Sequence, residues 1–214
     1  SAPTKVVEFS GGNFEEYEIT PEQFGVVNIA TVIIAFFAIF SDLGIGPAVI
    51  QRRNLSRSDL GGIFSLTLWS AAVIALLFFA ASGLIASFYD DSTQLRGICR
   101  ILALNLFFAT ANIVPNALVM RDKRFRFAAV RSLAVQVVGG AAGITAAYAG
   151  AGIYALTINP VFSSAMLFAI NYREYPLRIG LHLSRGAIRK VFSFSAYQFS
   201  FQLLNFFSRN LDKL

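Results

Sequence analysis

Charge is what this sequence has least of. Only 14% of its 214 residues are charged, against about 25% in soluble domains. Cysteine is nearly absent too: Cys99 stands alone, which excludes an intrachain disulfide framework, and no CxxC or Cys/His pairing suggests a metal. The single histidine, His182, lies in a basic polar stretch, so a Ser–His–Asp arrangement would have to use it. A glycine-rich phosphate loop before a helix is missing. The first 22 residues have neither a basic n-region nor an apolar h-region, which excludes a signal peptide. Loops between apolar runs stay under roughly 20 residues, too short for the large polar loops of a membrane glycosyltransferase or polymerase. These absences argue against an enzyme, and no cofactor is expected.

Hydrophobic residues are plentiful, at 56%, with 22 Phe spread along the whole chain. Soluble domains reach about 45–50% only when glycine is included. The solvent this chain expects is lipid. Five apolar spans follow, at roughly 24–40, 60–88, 95–119, 127–149 and 152–172, with a sixth beginning near Val191. Most reach the roughly 20 residues that a membrane-crossing helix needs. The expected fold is therefore all-α: a polytopic transmembrane bundle of five full spans and the start of a sixth.

The net charge of +6 could suggest nucleic acid in a soluble protein, but its placement argues for topology and no nucleic-acid partner. Arg52, Arg53 and Arg57 lie between spans one and two. Arg121, Lys123, Arg124, Arg126 and Arg131 separate spans three and four. Arg173, Arg178, Arg185, Arg189 and Lys190 separate five and six. Thirteen of the eighteen basic residues thus occupy alternate loops, which should be cytoplasmic, while the acidic N-terminus faces outside. Tyr89, Tyr148, Tyr154, Tyr172 and Tyr175 sit at span ends, where aromatic belts belong. Gly139, Gly143 and Ala146 put small residues along one side of span four, which suits close helix packing.

Polar residues inside spans are costly in hydrocarbon and tend to face a bundle interior or a wet cavity. In the last segment, "FSFSAYQFSFQLLNFFSRNLDKL", Gln198, Gln202, Asn205, Arg209 and Asp212 share an arc of roughly 80° on a helical wheel. Five polar residues aligned over four turns favour a cavity lining, and Asp212 is close enough to pair with Arg209. In span three Asn105, Asn112 and Asn116 lie within about 40°, beside the helix-bending Pro115. They read equally as interhelix glue or cavity lining. In span one Asn28, Thr31, Ala35 and Asp42 lie within about 60°; Asp42 reads equally as a solvated boundary residue. Arg96 and Arg100, one turn apart at the outer end of span three, can snorkel to the interface or face substrate.

Three stretches carry a resemblance: "TPEQFGVVNIATVIIAFFAIFSDLGIGPAVIQRR" (Thr20–Arg53), "IVPNALVMRDKRF" (Ile113–Phe125) and "NFFSRNLDKL" (Asn205–Leu214). They resemble the lipopolysaccharide and O-antigen flippases of the multidrug/oligosaccharidyl-lipid/polysaccharide exporter superfamily. The resemblance implies two pseudo-symmetric six-helix lobes around a central cavity that opens alternately to each side, in the bacterial cytoplasmic (inner) membrane. The implied substrate is an oligosaccharide on a polyprenyl diphosphate, moved to the outer leaflet for surface polysaccharide biosynthesis. Membrane lipids and other polysaccharide-assembly membrane proteins are the further partners expected. Arg209 in "SRNLD" is the first candidate for meeting the anionic headgroup, with Asn205 and Asp212 beside it; Arg100 is the second.

On this likeness the chain divides into a polar acidic segment (1–19), an N-lobe bundle (20–190) and the start of a second lobe (191–214). It is expected to be roughly the N-terminal half of a flippase, without its opening helix. An inactive truncated membrane protein is one alternative. Another, an ion-coupled multidrug exporter of the same superfamily, predicts acidic residues deep in the lobe. Apart from Asp42 near an interface, the sequence has none.

Overall fold

Long apolar runs without internal breakers form helices because lipid offers the backbone no hydrogen-bond partner. The computed structural model describes residues 4–10, 13–19, 44–52, 54–87, 92–150, 154–178 and 204. Helix α1 covers Ile45–Gln51, α2 Arg57–Ser87, α3 Ser92–Ala111, α4 Ile113–Arg121, α5 Phe125–Tyr148 and α6 Ala155–Glu174. Expected spans two to five coincide with α2, α3–α4, α5 and α6, their ends shifted by about three residues or fewer. Three stretches, Arg57–Leu84, Leu95–Arg121 and Phe125–Tyr148, are long and apolar enough to cross a bilayer. The 20 residues of α6 span about 30 Å, but its apolar run is diluted by Asn159, Ser163, Ser164 and Asn171. Expected spans one and six lie outside the described residues, apart from a helical, exposed Leu204.

The acidic N-terminal segment is not a plain tail. Strands β1 (Thr4–Ser10) and β2 (Asn13–Ile19) pair antiparallel, Thr4 opposite Ile19 and Ser10 opposite Asn13. A Gly-Gly pair lies between them in the sequence, the length and composition of a tight hairpin turn. The described part of the bundle is entirely helical.

Local chemistry sets the helix limits. At the start of α2, the Asp59 N–H donates to Ser56 Oγ (3.0 Å) and the Ser56 N–H to Asp59 Oδ2 (3.2 Å), a reciprocal cap. The break between α3 and α4 falls at Asn112, four residues after Phe108, whose carbonyl accepts its N–H. Pro115 has no N–H for the Ala111 carbonyl, so the helical hydrogen-bond ladder loses a rung beside the break. Helix α5 ends where Gly150 takes a left-handed φ of 81° and its N–H reaches the Ala147 carbonyl.

Helix α3 packs on both α2 and α6, and α5 packs on α6 at the edge of the bundle. One apolar cluster joins α1, α2 and α4 through Ala48, Val49, Ile63, Phe64, Val114 and Leu118. A second, toward the other end, joins Phe78 of α2 to Leu95, Ile98, Cys99, Leu102 and Leu106 of α3. Stacked rings link helices near the first cluster: Phe64 with Tyr172 and Phe168 with Tyr172, each 5.7 Å between centroids. Leu76, Leu77, Leu84, Leu133, Val137 and Ile144 are exposed, as expected of side chains whose surroundings are acyl chains. The α5–α6 contact uses small residues as the sequence suggests. A Cβ on Gly139 would meet Ser163 Oγ and come within 2.6 Å of Asn159 Oδ1, and one on Gly143 within 3.5 Å of Asn159 Cβ.

The alternate basic loops converge. The Tyr175 hydroxyl after α6 donates to Asp122 Oδ2 after α4 (2.6 Å), and Arg124 pairs with Glu174. Gly61 in the first turns of α2 lies against the Arg178 carbonyl. The opposite end is joined by Tyr154, whose ring lies over Gly97. One basic residue departs from expectation. Arg131 is not a loop charge: it sits within α5, only 6% exposed. It lies on the same stripe as Ala128, Val135 and Gly139, the buried face of that helix, so the helix itself carries it inward.

Candidate functional site

Most buried hydroxyls in this bundle turn back on their own helices. Ser65 bonds the Gly61 carbonyl, Thr67 that of Ile63 and Thr110 that of Leu106, at 2.7–2.8 Å. Such bonds give the hydroxyl a partner within its own helix. A cluster of longer polar side chains does something different.

Arg131 of α5, Asn171 of α6, and Asn112 and Asn116 at the α3–α4 break form one interhelix network. The Arg131 guanidinium donates through one terminal nitrogen to Asn171 Oδ1 and through the other to Asn116 Oδ1 (3.1 Å). Asn171 Nδ2 then donates to Asn112 Oδ1 at 2.7 Å. Asn171 is fully buried. Among the described residues no carboxylate pairs with Arg131, and its Nε has no hydrogen-bond partner. Two guanidinium groups lie over the Phe127 ring, Arg124 at 4.8 Å and Arg131 at 5.8 Å from its centroid. Among the described residues the Arg131 guanidinium is held by amide oxygens and a ring face, with no carboxylate beside it to offset its charge. That charge makes the cluster suited to attracting an anion and poorly suited to passing a cation.

The sequence-based candidates fall into three groups. Asn112 and Asn116 are brought together, with Arg131 and Asn171 as partners that helical spacing within span three does not point to. Asn105, two turns before Asn112, is half-buried. Arg100 is exposed near the far end of α3, its guanidinium 5.2 Å from the centre of the Phe79 ring, and Arg96 lies beside Gly83 one turn away. Asp42, Gln198, Gln202, Asn205, Arg209 and Asp212 lie outside the described residues.

Two signals in the sequence do mark the missing members. Thr157, Ser164 and Asn171 recur every seven residues along α6, and all three are buried. A seven-residue spacing keeps side chains on one helix face. Arg131 shares the stripe that carries Ala128 and Val135.

The basic end holds the second polar assembly. Glu174, and next Tyr175, hold the Arg124 guanidinium further toward its charged form than usual. Burial first, and then the hydrogen bond to Asp122, push the Tyr175 phenol above its ordinary range. A crevice of about 850 Å³ opens there. Among the described residues no three His, Cys, Asp or Glu side chains gather as metal ligands would.

Comparison with known proteins gives this geometry a context. Residues 19–214 match the family described as "Polysaccharide biosynthesis protein". The chain is 23% identical over 200 residues to the lipopolysaccharide biosynthesis protein WzxC of Escherichia coli K12, covering 92% of this chain and 40% of that protein. It is 25% identical over 181 residues to the succinoglycan biosynthesis transport protein ExoT of Rhizobium meliloti, covering 82% and 36%. It is 27% identical over 184 residues to the teichuronic acid biosynthesis protein TuaB of Bacillus subtilis, covering 84% and 37%. The chain therefore spans about two fifths of the length of these curated relatives. No solved structure matches it.

Proposed function

This chain belongs to the polysaccharide biosynthesis protein family and is a multi-pass membrane protein, and from that premise we propose that it is part of a flippase. Its substrate is an oligosaccharide carried on a polyprenyl diphosphate, moved across the bacterial cytoplasmic membrane for surface polysaccharide assembly. The observation that carries this reading is the family match over residues 19–214, together with the likeness to a succinoglycan biosynthesis transport protein. In this reading residues 1–19 lie outside the lobe, 20–190 form it, and 191–214 open a helix along the passage.

Chemistry assigns the roles. The diphosphate is the substrate's concentrated negative charge, and guanidinium matches phosphate oxygens with paired hydrogen bonds. Arg209 meets it, tuned by Asp212 and flanked by Asn205, Gln202 and Gln198, whose amides bond either phosphate or sugar hydroxyls. Arg100, Asn105 and Asp42 add contacts along the passage. Asn112 and Asn116 act through Arg131, which they and Asn171 hold in place. No step breaks a covalent bond, so catalysis is not required of any residue.

The test replaces Arg209 in the source organism. With Arg209→Ala, surface polysaccharide should fall at least about tenfold, and lipid-linked oligosaccharide should accumulate on the cytoplasmic leaflet, at unchanged membrane levels of the protein. Normal polysaccharide at normal protein level would remove Arg209 from the passage.

A further inference from the structure

The geometry points to a binding site for an anionic phospholipid in the crevice at the basic end of the bundle, apart from the interior network. The crevice measures about 850 Å³, within the roughly 300–1,000 Å³ of ligand clefts. Its lining combines two chemistries. Exposed Pro176 and half-buried Leu177 present apolar surface over the buried Leu55, Leu60 and Leu118, whereas Arg57 and Arg178 are exposed cations. Two carboxylates share the wall: Arg124 neutralises Glu174, whereas Asp122, which accepts the neutral Tyr175 hydroxyl, keeps its charge. Against that one carboxylate stand the exposed Arg57 and Arg178, so positive charge is left in excess.

Depth selects the ligand. Arg57 opens α2, Arg121 closes α4 and Arg178 follows α6 by four residues. With α3–α4 taken as one span, each stands at the end of a helix as long as the bilayer's hydrocarbon core or longer, which puts it at the level of lipid headgroups or beyond. The converging loops carry the excess of Arg and Lys that marks the cytoplasmic side, and the leaflet there is anionic. A phosphodiester would sit against the guanidinium groups with paired hydrogen bonds, and the glycerol and first methylenes would cover Pro176 and Leu177. Free phosphate would leave that apolar surface wet. The combination fits an amphiphile. The inference needs only the membrane placement and stands or falls independently of the flippase reading.

Titration of short-chain phosphatidylglycerol into the full chain in neutral detergent tests this, with short-chain phosphatidylcholine and inorganic phosphate as comparisons. Phosphatidylglycerol should bind at least about tenfold more tightly than phosphatidylcholine, and millimolar phosphate should not displace it. Arg57→Gln with Arg178→Gln should weaken it by about tenfold or more, since each cation near an anionic headgroup contributes on the order of a kcal/mol. Arg126→Gln, an exposed cation outside the crevice, should leave binding unchanged. Equal affinity for the two lipids, displacement by phosphate, or unaltered binding in the folded double variant would each overturn the proposal. Should the double variant not fold, the comparison of ligands on the wild-type chain still decides.

Discussion

Single side chains decide whether the interior network holds. Asn171 is the hub, accepting from Arg131 and donating to Asn112. Asn171→Leu leaves Asn112 Oδ1 and one terminal nitrogen of Arg131 without these partners where water is scarce, at a cost of roughly 1–3 kcal/mol. The double change Arg131→Met with Asn171→Leu removes the stranded charge as well, and should recover much of that loss. Denaturant unfolding in mild detergent checks both; a double variant less stable than Asn171→Leu would contradict the network. The basic end offers a pH test. Because the folded protein raises the Tyr175 pKa, its contribution to stability is complete below about pH 10 and is lost as pH rises through the folded value. Tyr175→Phe should therefore flatten part of the stability decline above about pH 10, as measured by unfolding across pH 8–11.

Neighbouring glycines separate packing from propensity at the scale of an element. Gly139 faces α6, and any side chain there collides with Asn159 and Ser163; a Cβ on Gly140 would meet nothing within 4 Å. Gly139→Leu should push α5 from α6 and destabilise by roughly 1–3 kcal/mol. Gly140→Ala should be neutral or stabilising by up to about 1 kcal/mol, because it only improves helix propensity. Thermal unfolding of the two variants side by side would show it. Equal effects would mean that α5 does not dock through Gly139.

Helices are legible in the sequence because lipid-spanning runs are long, and length alone separates them from strands. The helix break at Asn112 is legible through Pro115. The β1–β2 hairpin is harder to read, although "KVVEFS" and "NFEEYEI" flank a Gly-Gly pair, because five Glu among the first 22 residues mask the alternation of apolar positions. Arg131 misleads for a related reason. A basic residue near the start of an apolar run looks like loop, and only the phase it shares with Ala128 and Val135 turns it inward. Asn171 lies three residues from Glu174, so it resembles headgroup-region polarity instead of the hub of a buried cluster. Asn112 and Asn116 fit either glue or cavity lining by spacing alone, and their hydrogen bonds supply the interhelix half of that choice.

The whole molecule is ordered by one asymmetry: basic loops gather at one end of the helices, and α5 runs from that end to the other. Its 24 residues span about 36 Å, enough to place Arg126 and Ala149 in opposite aqueous compartments. Both are exposed. In a Cys99→Ser background, Arg126→Cys and Ala149→Cys should then react differently with a membrane-impermeant maleimide. The expected result on intact cells is labelling at position 149 alone, with position 126 reacting only after permeabilisation. Labelling of position 126 from outside intact cells would contradict the placement of the basic end in the cytoplasm, and with it the proposed threading of the chain.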